Sequence, residues 1–98
     1  MYAAIRRGKA KPGASVHELA WPIQEGMVPP FRSLPGFAAY SFVNLGNDEG
    51  MSITIFETKE AAEEANRLAV DWARQNLADI HPAPPQASEG EVLIQMVK

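Results

Sequence analysis

Asn66 is the residue of this chain whose type and place most invite chemistry. It interrupts a helical stripe of alanines, with Ala62, Ala65 and Ala69 around it. A neutral amide in such surroundings needs a hydrogen-bond partner, or it loses about 1–3 kcal/mol of solvation. Two roles satisfy it. It anchors a backbone carbonyl at the end of a sheet, or it orients a substrate carbonyl, phenolate or enolate. His17, Trp21, Gln24 and Val28 form a second stripe on an earlier helix. His17 there can serve as a general base near neutral pH, and Trp21 offers a flat apolar wall. The plainer reading makes this stripe a half-buried flank or a subunit contact, with His17 in solvent. Tyr40 lies on a strand. Its hydroxyl enters a cavity if it faces the helices, and it is packing if it faces another sheet. Trp72, a large ring among alanines, is read first as a core filler and second as a pocket wall. His81, before a run of prolines, is read as exposed or helix-capping.

Other chemistries are closed to this sequence. There is no cysteine, so disulfides, thiolate catalysis and Cys-ligated metals are excluded. His17 and His81 have no metal-ligand spacing, and no metal or other cofactor is expected. No paired carboxylate, nucleophile with base, or phosphate loop stands out. Nine basic and twelve acidic residues give a net charge of −3, which argues against a nucleic-acid partner. Arg6, Arg7, Lys9 and Lys11 cluster, but such a run on a strand reads as a solvated face. No apolar run approaches the ~20 residues that span a bilayer, and no signal-peptide core is present. A cytoplasmic location is the expectation.

The elements that must hold these residues follow from periodicity. At 98 residues the chain is expected to be one domain over residues 1–98. Residues 2–9 read as a strand and Lys11-Pro12-Gly13 as a turn. Ser15 caps a helix, with Glu18 completing a capping box. Val16, Leu19, Ala20, Ile23 and Met27 form its apolar stripe, and Pro22 predicts a kink. An irregular extension covers 26–35. The second strand follows at 36–45, with Phe37, Ala39 and Val43 on one face and Ala38, Tyr40 and Phe42 on the other. Gly46 to Gly50 is a hairpin loop. The third strand covers 50–57, the second long helix 59–79, and the last strand 90–97.

The order βαββαβ, with right-handed crossovers, places both helices on one face of an antiparallel four-stranded sheet. This is an α+β, ferredoxin-like arrangement. The other sheet face is too apolar for a solvated monomer, so a homodimer through the sheet face is expected.

The Pro35-Gly36-Phe37 turn, the strand Ile53-Thr54-Ile55-Phe56-Glu57 and the acidic helix start at Lys59-Glu60-Ala61-Ala62-Glu63-Glu64 resemble the antibiotic-biosynthesis-monooxygenase-like proteins of the dimeric α+β barrel superfamily. That resemblance implies a dimer with a ligand cavity between sheet and helices. It also implies oxygenation of a small planar aromatic or polyketide-like molecule without a bound cofactor. The quinol oxygenases of this group use Asn, Trp, Tyr and Arg, and Asn66, Trp72, Tyr40 and Arg6 supply those types. Asn66, His17 and Tyr40 are the candidate catalytic residues, and Trp21, Trp72 and Arg6 the candidate substrate-binding ones. The alternative is a non-catalytic dimer that binds a small hydrophobic molecule or regulates a partner. Proton-transfer isomerisation of a lactone or dienol is a third possibility.

Overall fold

The alternating strands and alanine-rich helical stripe assemble as their periods require. The computed structural model describes residues 1–11, 13, 15–76 and 85–98. Within them the order is β1 (Tyr2–Lys9), α1 (His17–Gly26), α2 (Val28–Ser33), β2 (Phe37–Gly46), β3 (Glu49–Phe56), α3 (Lys59–Asn76) and β4 (Gln86–Glu91). The four strands form one antiparallel sheet in the order β2-β3-β1-β4. This is the ferredoxin-like arrangement. Among the described residues no helix is long and apolar enough to cross a membrane.

Local chemistry sets the boundaries. Asn47 (φ 55°) and Asp48 (φ 63°) both adopt left-handed backbone and close the β2–β3 hairpin, as a two-residue turn between twisted strands requires. Thr58 Oγ1 accepts the Ala61 N–H at 3.2 Å and caps α3. Ser15 Oγ instead accepts the His17 N–H at 3.1 Å, so the capping box with Glu18 does not form. Helix α1 runs through Pro22 to Gly26. The interruption falls at Met27, and Pro29 and Pro30 open the short α2, where missing N–H groups cost little.

The core lies between the helices and one sheet face. Ala4, Phe31, Phe56, Ala62, Ala65 and Ala69 are fully buried there. The alanines of α3 leave no bulk, so the helix lies close to β1 and β3. Strand β3 faces two ways in an unusual sense. Ser52 and Thr54 point into the covered face, while Met51, Ile53 and Ile55 are only half-buried on the open one. Ile5 pairs with Ile53 and continues this apolar stripe. A sheet that turns isoleucines outward and hydroxyls inward has its polarity inverted relative to a one-sided solvated sheet.

Two expectations are corrected. Phe37 shares a face with Tyr40 and Phe42, not the opposite one. It pairs with Phe56, and Ala39 pairs with the next residue, Ile55, so Ala38 is an extra residue in a β-bulge. The last strand is Gln86–Glu91, not 90–97. Its register sets Tyr2 opposite Glu91 and Arg7 opposite Gln86. Just past this strand the Val92 N–H reaches Met1 O at 2.9 Å.

Candidate functional site

Strand parity decides what enters the space under the helices. On β1 the even residues Ala4, Arg6 and Gly8 face the helices, opposite Thr54, Ser52 and Gly50 of β3. On β2, Tyr40 and Phe42 stand opposite the same Thr54 and Ser52. The result is a cleft between sheet and helices, lined chiefly by Leu19, Ile23, Met27 and Phe42, with Arg6, Tyr40 and Ser52 as its polar groups. It holds about 480 Å³ of space continuous with solvent, of which about 50 Å³ admits the centre of a water molecule. The space is therefore a narrow slot. Gly50 keeps it so: a Cβ there would lie 3.0 Å from the Phe42 ring and 3.2 Å from Val16.

Arg6 dominates the electrostatics. It is only 4% exposed. Its Nε donates to Ser52 Oγ at 2.8 Å, its Nη2 to Thr54 Oγ1 at 2.6 Å and its Nη1 to Asn66 Oδ1 at 3.0 Å. The Phe31 ring stacks against it, with Cζ 4.8 Å from the ring centroid. All four neighbours are neutral. Among the described residues no carboxylate forms an ion pair with Arg6. Burial accordingly pulls its pKa down to about 10, with the nearby Tyr40 opposing. Arg6 remains a cation at neutral pH, held by dipoles in an apolar wall.

Asn66 forms the second tier. Its Nδ2 donates to Ser88 O at 2.9 Å and to the Glu89 carboxylate. With its donors committed to β4, its oxygen is fixed toward Arg6. Asn66 does not line the cleft itself; it holds the residue that does. Asn66 thus anchors a backbone carbonyl, the first of its two expected roles, and braces the guanidinium, with neither amide donor left to point at a substrate oxygen. Tyr40 packs its ring against Phe31 at 5.8 Å between centroids. Burial raises its pKa, while the Arg6 charge and a hydrogen bond with Ser52 pull the other way.

The other candidates stand apart. His17 is exposed at the start of α1 and does not line the cleft. Trp21 is 69% exposed on the same helix. Trp72 lies against Gly26, where an added Cβ would come within 2.5 Å of the indole, and lines a separate hollow with Phe31 and Leu68. His81 lies outside the described residues. Ser52, Thr54 and Glu89 join the site without having been among its candidates. The signal for the first two was present: they alternate with Met51, Ile53 and Ile55, and hydroxyls on the face shared with Phe56 must find a polar partner.

No protein-family model matches the chain, and no curated protein matches it. Solved structures do. A protein of unknown function from Nitrosomonas europaea, NE2512, superposes with a TM-score of 0.76 at 20% identity, over 99% of this chain and 93% of that one. The ActVA-Orf6 monooxygenase of Streptomyces coelicolor, solved with nanaomycin D, gives 0.68 at 16% identity, over 99% and 91%. A dimeric ferredoxin-like protein from an uncultured marine organism gives 0.70 at 7% identity, over the full length of both chains. Others carry the name antibiotic biosynthesis monooxygenase. At these identities the likeness is one of fold, and the fold is the one those monooxygenase structures share.

Proposed function

We propose that the cleft binds a small planar aromatic molecule as its phenolate or enolate, and that the protein oxygenates it as a homodimer without a bound cofactor. The observation that carries this reading is Arg6: a buried cation with only neutral partners, at the wall of an apolar slot. An anionic oxygen placed beside it gains a charge-assisted bond in a site that water barely enters. Tyr40 and Ser52 are the remaining donors for that oxygen, and Ile23, Leu19 and Phe42 press on the flat faces. Asn66 braces the cation from behind. Stabilising the anion lowers the ligand's own pKa and leaves an electron-rich ring. One electron passes to oxygen, and the resulting radical and superoxide combine at carbon. Loss of water from the hydroperoxide then turns a ring CH₂ into C=O, so that one O₂ yields the carbonyl oxygen and one water.

A specific observation favours the second reading, a dimer that binds such a molecule without turning it over. Among the described residues lining the cleft there is no carboxylate and no imidazole to take the proton. On the oxygenase reading the ligand must therefore arrive ionised, or ionise because of Arg6.

The open sheet face supports the association. Ile5, Ile53 and Ile55 form an apolar stripe that, among the described residues, no element covers, and a two-fold pairing of such faces buries it twice over. Titration with dihydroxynaphthalene and anthrone-type quinols tests the reading. The phenolate absorption band shifts on binding, and dissolved oxygen is consumed in equal amount to product. No shift with any of these ligands overturns the reading, and a shift without oxygen uptake establishes the binding dimer instead.

A further inference from the structure

Gly8 and Gly50 face each other across β1 and β3, and both line the cleft. A glycine weakens a strand, so it is placed where the chain bulges, turns left-handed or must be approached closely. The first two reasons do not apply to this pair. The β1–β3 register runs unbroken from Tyr2 opposite Phe56 to Lys9 opposite Glu49, and the Ala10 N–H beyond it reaches Asp48 O at 2.8 Å. Left-handed glycine backbone occurs at Gly13, Gly36 and Gly46, and at neither Gly8 nor Gly50. Close approach remains.

For Gly50 the approaching group is visible. The Phe42 ring lies against it, with ring carbons 3.0 and 3.1 Å from where a Cβ would stand. An aromatic ring thus already rests on one glycine of the pair. Gly8 is the half-buried member. It lies two positions from Arg6 on the same face of β1, a step of about 7 Å. Ala69 and Ala73, one turn apart on α3, add only methyl groups to the lining. Next to the guanidinium the slot therefore offers bare backbone and little else.

We propose that Gly8 determines the shape of ligand the cleft accepts: a flat ring lies on its backbone, beside Phe42 on Gly50, while the ionised oxygen on the adjoining ring meets Arg6. A Cβ at position 8 would stand up from the covered face into the plane of that ring. Bare backbone lets an aromatic ring touch the peptide as Phe42 does at Gly50. A puckered ring of the same size raises hydrogens on both faces and is too thick for a slot this narrow. Gly8 is thus a specificity-determining residue. This inference rests on the phenolate binding proposed above and says what enforces planarity.

The test compares a dihydroxynaphthalene with hydroquinone, whose single ring reaches Arg6 without covering Gly8. In Gly8→Ala and Gly8→Val the dissociation constant for the dihydroxynaphthalene, read from the phenolate band, should rise about tenfold or more, as a methyl group forced into a filled slot requires. That for hydroquinone should stay within about threefold. The urea midpoint should hold or rise, because alanine and valine both suit a strand better than glycine. In the unaltered chain the tetrahydro analogue of the dihydroxynaphthalene, with its second ring puckered, should bind about tenfold more weakly, a comparison that needs no variant to fold. Equal losses for both ligands, no loss in Gly8→Val, or equal binding of the flat and puckered ligands overturns the inference and leaves the anion site standing. So does a lower urea midpoint in Gly8→Ala, which makes Gly8 a packing contact of α3. An unaltered chain that binds neither quinol overturns both readings.

Discussion

Arg6 and Asn66, sixty positions apart, are joined by a 3.0 Å bond from guanidinium to amide oxygen, and Asn66 passes that bond on to the carboxylate of Glu89. Arg6 and the Glu89 carboxylate are thus linked through a neutral amide. Asn66→Asp inserts a charge at the junction. It neutralises Arg6 directly and confronts Glu89 with a like charge. Affinity for phenolate ligands should fall at least tenfold, while the affinity for an uncharged analogue of the same shape changes little. Parallel titrations of the two ligands check this.

Arg6→Met keeps the bulk and removes the charge. Ser52, Thr54 and Asn66 each lose a donor, so stability should drop by roughly 1–3 kcal/mol, read from urea denaturation. Anion binding should be lost altogether. His17→Ala, at an exposed position outside the cleft, should leave both quantities within twofold.

Tyr40 provides a pH signature. Its folded-state pKa lies above the ordinary phenol value because burial disfavours the phenolate. The unfolded chain therefore gives up this proton first, and the Tyr40 contribution to stability declines as pH rises through and beyond about 10. In a Tyr2→Phe background, absorbance at the tyrosinate band reports Tyr40 alone. Its titration should lie above the ordinary value, and it should move further up when Arg6→Met removes the charge that opposes the shift.

At Gly26 the end of α1 meets the Trp72 ring of α3. A Cβ there would stand 2.5 Å from the Trp72 ring. Gly26→Ala gains about 1 kcal/mol of helix propensity but drives a methyl into an indole. A net loss of about 1–3 kcal/mol is expected, together with a changed tryptophan emission spectrum. Combining it with Trp72→Leu should recover most of the loss, which a double-mutant cycle measures.

Ile53 tests the open face. Ile53→Asp places a charge at the centre of the half-buried stripe. Sedimentation should show the proposed dimer lost, with the far-ultraviolet spectrum preserved.

The order of elements was readable because each rests on a strong local cue. Asn47 and Asp48 announce the hairpin, the alanine stripe announces α3, and Met51, Ile53 and Ile55 alternate cleanly. Propensity places the last strand at 90–97, whereas the ladder with β1 runs over Gln86–Glu91, where Asn66 grips Ser88. Charge alone groups Arg6 with Arg7, Lys9 and Lys11 as a solvated face, and only the family resemblance makes it a substrate-binding candidate. Parity separates it from Arg7, but Ile5 suggests the wrong face as the covered one, and only the register with Ser52 and Thr54 resolves this. Asn66 and Tyr40 come together with Arg6 around the cleft, while Trp21, Trp72 and His17 do not.

The bulge at Ala38 gives β2 one residue that the ladder does not use. Ala38 is exposed, and most side chains should be accepted there without loss. Removing that residue sets Phe37 directly before Ala39, and strict alternation then keeps Phe37 opposite Phe56, with its edge-on contact intact. Among natural variants of this chain, a form one residue shorter between Gly36 and Tyr40 should therefore pair β2 with β3 as a regular ladder without the bulge.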